Sequence, residues 1–219
     1  MRVVIAGGHG KIALRLERLL ADRGDRVEGL IRNPGHAADL RAAGAEPVLC
    51  DLEAASVDEV AARCAGADAL VFAAGAGPGS GAARKTTVDL NAAVLLADAA
   101  EQAKVARYVM VSAIGAAAPP PEDDDSVFAA YLRAKAAADD DLRARLGLDW
   151  TVVRPGSLTD EPGTGLVTLT EDAPRGDITR DDVAAVLAEI LAAPGLAGRS
   201  LNLVAGTTPI PEAVSAAAR

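Results

Sequence analysis

The stretch AGGHGKIA, Ala6 to Ala13, decides how the chain folds. It lies between RVVIAG (2–7), a β-branched run that reads as a strand, and KIALRLERLLADRG (11–24), which reads as an amphipathic helix ended by Gly24. Gly8, Gly10 and Ala13 fit G-x-G-x-x-A, and Gly7, Gly10 and Ala13 fit G-x-x-G-x-x-A. Small residues at such a junction let backbone N–H groups approach a pyrophosphate and aim a helix N-terminus at it. A glycine match alone means only a tight turn. Its place at the first strand–helix junction of a regular alternation is what points to a dinucleotide.

That alternation continues. Strands are expected at 26–32, 46–52, 68–75, 106–115, 148–156 and 199–206, with helices at 36–44, 56–66, 86–104, 127–147 and 179–195. Ser56 with Glu59 and Thr179 with Asp182 read as helix-capping pairs. AAAPPPEDDDS (116–126) is a loop, and 157–177 is mostly loop with an extended pair around GLVTL. A short amphipathic tail follows the last strand. Continuous apolar strands separated by helices imply an α/β fold: a doubly wound parallel sheet of about seven strands with helices on both faces. The chain is expected to be a single dinucleotide-binding domain over 1–219. Its small substrate-side region is 157–177, and loops 76–85 and 157–177 are expected to form the pocket walls.

Composition narrows the function. With 22 Lys and Arg against 31 Asp and Glu, the net charge is −9. An acidic surface argues against direct nucleic-acid binding and against docking on anionic lipid. Cys50 and Cys64 have no metal or redox spacing and read as buried thiols. Two isolated histidines, His9 in the glycine turn and His36 on the surface, with scattered carboxylates make no metal site. MRVVIAGG enters a strand at once, and no apolar run reaches membrane-spanning length, so no membrane association and a cytoplasmic location are expected.

The second strand ends in LIRNP, with Arg32 and Asn33 where a carboxylate would mark preference for NAD. Arginine can pair bidentately with a 2′-phosphate, which favours NADP with NAD possible. Arg32 could instead be a surface cation, and Lys11 could be either a phosphate partner or a solvated first-turn lysine.

Taken together, GGHGKIA, LIRNP, CDL, FAAG, VSAIG, YLRAK, VVRPGSLTDEPGTG and ITRDDVAAVL resemble the short-chain dehydrogenase/reductase superfamily over nearly the whole chain. The nearest likeness is to its atypical branch of small NAD(P)H-binding proteins, NmrA-like and biliverdin-reductase-like, with a Rossmann-type sheet. The resemblance implies cofactor contacts from Gly7, Gly8, His9, Gly10, Lys11 and Ile12 in the cradle and from Arg32 and Asn33. It places Asp51 and Leu52 at the adenine and Ala73, Ala74 and Gly75 along the cofactor. Pro155, Gly156, Ser157 and Leu158 would lie near the nicotinamide. It also implies Tyr131 as proton donor or acceptor, Lys135 as ribose ligand that lowers the phenol's pKa, and Ser112 as the group that steadies a substrate oxygen. Strand register could instead put Ala113 in the serine's place. Asp89 stands where many members have asparagine, with Asn91 nearby on another face. Spacing alone leaves Tyr131 and Lys135 open to a plainer reading, a packed tyrosine and a solvated lysine on one helix face.

The expected function is an oxidoreductase of the short-chain type, with NADP(H) preferred over NAD(H), reducing a small carbonyl or quinone-like substrate as a monomer or homodimer. One alternative is an NADP(H)-binding sensor without turnover. Another is an NAD(P)-dependent epimerase/dehydratase-like enzyme, for which the short chain leaves little room.

Overall fold

The computed structural model describes residues 1–77 and 79–219, with Pro194 described by its backbone alone. Strands β1 (Arg2–Ala6), β2 (Arg26–Ile31), β3 (Glu46–Leu49), β4 (Ala69–Phe72), β5 (Arg107–Val111) and β6 (Asp149–Pro155) alternate with helices α1 (Lys11–Asp22), α2 (Ala37–Ala42), α3 (Val57–Cys64), α4 (Ala82–Arg84), α5 (Ala92–Ala103) and α6 (Val127–Arg143). The short strands β7 (Ser157–Thr159), β8 (Leu166–Thr170) and β9 (Asp177–Thr179) precede α7 (Arg180–Ala192). Strands β10 (Arg199–Ala205) and β11 (Thr208–Pro209) and helix α8 (Ile210–Ala217) complete the chain.

The main sheet runs β11-β8-β10-β6-β5-β4-β1-β2-β3. From β3 to β10 the pairings are all parallel, whereas β8 pairs antiparallel with both β10 and β11. The sheet thus has nine strands where about seven were expected. The extra two are β8 and β11, from the segment read as mostly loop and from the tail. Strands β7 and β9 form a separate parallel pair. Within 157–177, the extended pair expected around GLVTL is present as β8, which pairs with β10 and β11 from the chain that follows, while β7 pairs with β9.

Successive side chains along a strand point to opposite faces. In β1, Val3 and Ile5 join the core beneath α1 and α7, while Val4 and Ala6 join the core beneath α3, α5 and α6. The Ser56–Glu59 capping box and the Thr179 cap on the Asp182 N–H are both present. Asp182 also accepts from the backbone N–H groups of Thr164 and Gly165, at 3.0 and 2.8 Å. Burial opposes its charge, yet these bonds hold its carboxyl below the ordinary range.

The helix expected over 86–104 is interrupted. After α4 the backbone makes a π-helical stretch, Lys85–Asn91, before α5 begins. Such stretches are rare and recur at functional sites, because they shift the register in which side chains face inward. Here the shift buries Lys85, Val88 and Asp89 together.

Candidate active site

Strand order reverses between β1 and β4, and ligands of open parallel sheets bind outside the strand C-termini at such a point. A cleft of about 270 Å³ lies there. That is just below the usual range for ligand pockets, about 300–1,000 Å³. Of the residues singled out in the sequence, Gly7, His9, Gly10, Arg32, Asp51, Leu52, Ala73, Ala74 and Gly75 line it. Gly8, Lys11, Ile12 and Asn33 sit beside it without lining it. Pro155 closes β6, and Ser157 and Leu158 begin β7 after Gly156. Of the 76–85 loop, Pro78 lies outside the described residues.

The residues fit a pyrophosphate. Gly7 has φ +81°, and a Cβ there would come within 2.6 Å of the Ala74 Cα, so only glycine allows the two backbones to meet. The Gly10 N–H closes a turn onto the Gly7 carbonyl at 2.8 Å, and α1 starts at the next residue. The Lys11 ammonium is engaged by Asp160 at 2.6 Å. His36, expected on the surface, is half-buried: its ring stacks on His9 with centroids 3.6 Å apart, and His9 contacts Asp39 at 2.7 Å.

Beneath the cradle lies Glu17, fully buried in α1 with neither carboxylate oxygen hydrogen-bonded among the described residues. Its Oε1 fills the space that a Cβ on Gly8 or Gly29 would take, 3.0 and 2.6 Å away. Burial pushes this carboxyl up to about 8.

At the rim of the cleft, Arg32 and Arg84 both donate to Glu53 Oε2, at 2.9 and 2.6 Å, and the Thr87 hydroxyl donates to Oε1 at 2.7 Å. The Thr87 bond, followed by the two guanidinium groups, holds the Glu53 carboxyl below its usual range. Glu53 and Arg84 were not found from sequence, because they meet Arg32 only through the fold.

Tyr131, Lys135 and Asp139 share one face of α6 at i, i+4 and i+8. Lys135 is 3 % exposed. Its ammonium donates to the Val111 and Ala74 carbonyls, at 3.2 and 3.5 Å, and lies 3.3 Å from Asp89 Oδ1 as an ion pair without aligned hydrogen-bond geometry. The other Asp89 oxygen accepts from the Ala76 N–H at 3.2 Å. The departure at Asp89 therefore supplies a counter-ion to Lys135. The expected lowering of the Tyr131 phenol does not occur. Burial first, then the charges of Asp89 and Asp139, push it up to about 12.

Ser112 is buried beside Asp139, which Arg154 pairs at 2.8 Å. Burial raises the Asp139 carboxyl, and the Ser112 hydroxyl and Arg154 guanidinium oppose that rise. The contact with Ser112 is not aligned, since both Ser112 Oγ and Asp139 Oδ1 lack a hydrogen-bond partner of good geometry. Among the described residues no hydrogen bond joins Ser112 to Tyr131, so Tyr131 and Lys135 are brought together while Ser112 faces the Asp139–Arg154 pair.

Cys50 and Cys64 are buried free thiols, and burial pushes Cys64 up to about 11. No group of three metal-ligating side chains occurs among the described residues, and no helix there is long and apolar enough to cross a membrane.

Known proteins resemble the chain in sequence and in fold. The sequence model of a family described as NAD(P)H-binding matches residues 7–194. The chain is 40% identical over 215 residues to the uncharacterized sugar epimerase YhfK of Bacillus subtilis, covering 98% of this chain and 99% of that one. It is similar to the solved structure of a candidate NAD-dependent epimerase/dehydratase of Bacillus halodurans, at 36% identity and TM-score 0.90 over 99% of each chain. It is also similar to the oxidoreductase ylbE of Lactococcus lactis, at 28% identity and TM-score 0.85 over 99% of this chain and 96% of that one.

Proposed function

Since this chain belongs to the NAD(P)H-binding family, in its atypical short-chain dehydrogenase/reductase-like part, we propose that it is an NADP(H)-dependent reductase of a small carbonyl or quinone-like substrate. One domain, 1–219, would hold the cofactor, and 157–177 would shape the substrate side. The observation that carries this reading is the placement of Tyr131 and Lys135 one turn apart on α6, with the Lys135 ammonium on the Val111 and Ala74 carbonyls at the ends of β5 and β4. At neutral pH the Tyr131 phenol keeps its proton and can donate it to a carbonyl oxygen. Bound nicotinamide would supply the hydride. Lys135, already neutralised by Asp89, would keep α6 against β5 and meet the ribose by exchanging a carbonyl partner.

Preference for NADP(H) rests on Arg32, after β2, and Arg84, in α4, two guanidinium groups converging on the carboxylate of Glu53, after β3. A 2′-phosphate could replace Glu53 between them. Arg32→Ala is expected to weaken NADPH binding about 10–100-fold and to change NADH binding less than about three-fold, since the charge-assisted contact exists only for the phosphate. Calorimetry of both cofactors at one ionic strength measures this. Equal losses for the two would remove the NADP(H) preference.

Two observations favour a second reading, a cofactor sensor without turnover. Lys135 is paired with Asp89, and Ser112 lies beside Asp139 with no hydrogen bond to Tyr131 among the described residues. Acceptor-dependent NADPH oxidation across aldehydes and quinones separates the two readings. Sugar epimerisation, named in the Bacillus subtilis relative, would need a sugar-nucleotide pocket, and on the substrate side the described residues place the short β7–β9 segment.

A further inference from the structure

The chain carries four lysines, Lys11, Lys85, Lys104 and Lys135, among 22 cationic residues. Two of the four are buried, and both lie against Tyr131. Lys85 Nζ is 5.4 Å from the Tyr131 ring centroid and Lys135 Nζ is 6.0 Å from it. Their partners differ. Lys135 has a carboxylate. Lys85 is 8 % exposed, yet among the described residues its ammonium has one hydrogen bond, to the Gly77 carbonyl at 2.9 Å, and no carboxylate within ion-pair distance. A buried ammonium is costly unless its charge is compensated. One carbonyl and the face of a phenol compensate it only in part.

The aromatic residues point to the same place. Of five in the chain, Phe72 and Tyr108 are fully buried, while Phe128 is 66 % exposed and pairs with Tyr131 at a centroid distance of 6.0 Å. Phe128 and Tyr131 therefore form a tilted aromatic pair in the first turns of α6, beside an ammonium with no carboxylate partner among the described residues. The π-helical stretch is what turns Lys85 inward there.

We propose that Lys85 is a specificity-determining residue that receives an anionic oxygen of the substrate, selecting flat acceptors that carry a carboxylate or similar group over neutral ones. The assignment rests on the reductase reading for the word substrate, but the binding it describes needs no turnover. A purely structural Lys85, fastening the Gly77 turn, would affect charged and neutral ligands alike.

The test is calorimetric titration of NADP⁺-saturated protein with naphthoate and with its neutral isostere naphthamide. The wild type is expected to bind naphthoate at least about 10-fold more tightly, with that ratio falling as salt rises. Lys85→Met is expected to bring the ratio to about one, and Lys85→Arg to keep most of it, with NADP⁺ affinity in each within about two-fold of wild type. A wild-type ratio near one, binding of neither probe, or a ratio unchanged in Lys85→Met overturns the proposal. If Lys85→Met does not fold, the wild-type ratio and its salt dependence decide. If no acceptor is ever reduced while the ratio and its loss are found, the reductase reading falls and the anion site stands. If NADP⁺ itself fails to bind, the same two probes are titrated into the protein alone and read in the same way.

Discussion

Replacing Tyr131 by Phe is expected to lower kcat for carbonyl reduction by about 10²–10⁴-fold, the range lost when a positioned proton donor is removed, and to leave NADPH affinity within about two-fold. The Tyr131 hydroxyl makes no hydrogen bond among the described residues, so its removal breaks nothing that holds α6 in place. The ring, with its contacts to Phe128, Lys85 and Lys135, remains. The raised phenol adds a pH signature. Its donor form is present well above neutrality, because burial and the carboxylates of Asp89 and Asp139 hold the proton on to about pH 12. Reduction should therefore show no fall across neutral pH from loss of this proton. A lysine-depressed phenol would cause such a fall. Steady-state rates of wild type and variant over a pH series, with cofactor affinity measured alongside, check both parts.

The second large effect concerns Glu17. Folded, this acid holds its proton to about pH 8, whereas its ordinary value is 4.5. Between those values Glu17 binds more protons in the folded state than in the unfolded chain, so its own contribution to stability is fullest below about pH 4.5 and is lost as pH rises toward 8. The loss can reach about 1.4 kcal/mol per pH unit, on the order of 3 kcal/mol from pH 5 to 8. Glu17→Gln removes the titration, and its stability curve is expected to lack that slope even if its absolute stability differs. Denaturant unfolding of both proteins across this range makes the comparison. The difference in slope is decisive, because it does not depend on how well the amide packs against Gly8 and Gly29.

Residues 6–13 announced the cradle because its requirements are local: a positive φ at Gly7, room for backbone N–H groups, and a helix beginning at Lys11. The strand alternation was legible for the same reason, each β-branched run being read against its own neighbours. The sheet edge was legible only in part: GLVTL reads as extended from its own residues, but its pairing as β8 with β10 and β11 depends on the rest of the fold. In KIALRLERLLAD, Glu17 stands between charged and apolar neighbours and looks like any amphipathic-helix glutamate. Its burial follows from the absence of side chains at Gly8 and Gly29, on other elements. The Tyr131–Lys135 spacing was visible, but their electrostatics depend on Asp89 and Lys85. The π-helical stretch brings those two to α6, and a plain helix over 86–104 hides that change of register.

The most direct test of hydride transfer from NADP(H) uses NADPH deuterated at the nicotinamide C4 position with a panel of aldehydes and quinones. Acceptor-dependent oxidation slowed by the deuterium, and abolished in Tyr131→Phe for aldehydes, is the predicted result. Tight NADPH binding with no acceptor-dependent oxidation across the panel would contradict it and leave the cofactor-sensor reading in its place.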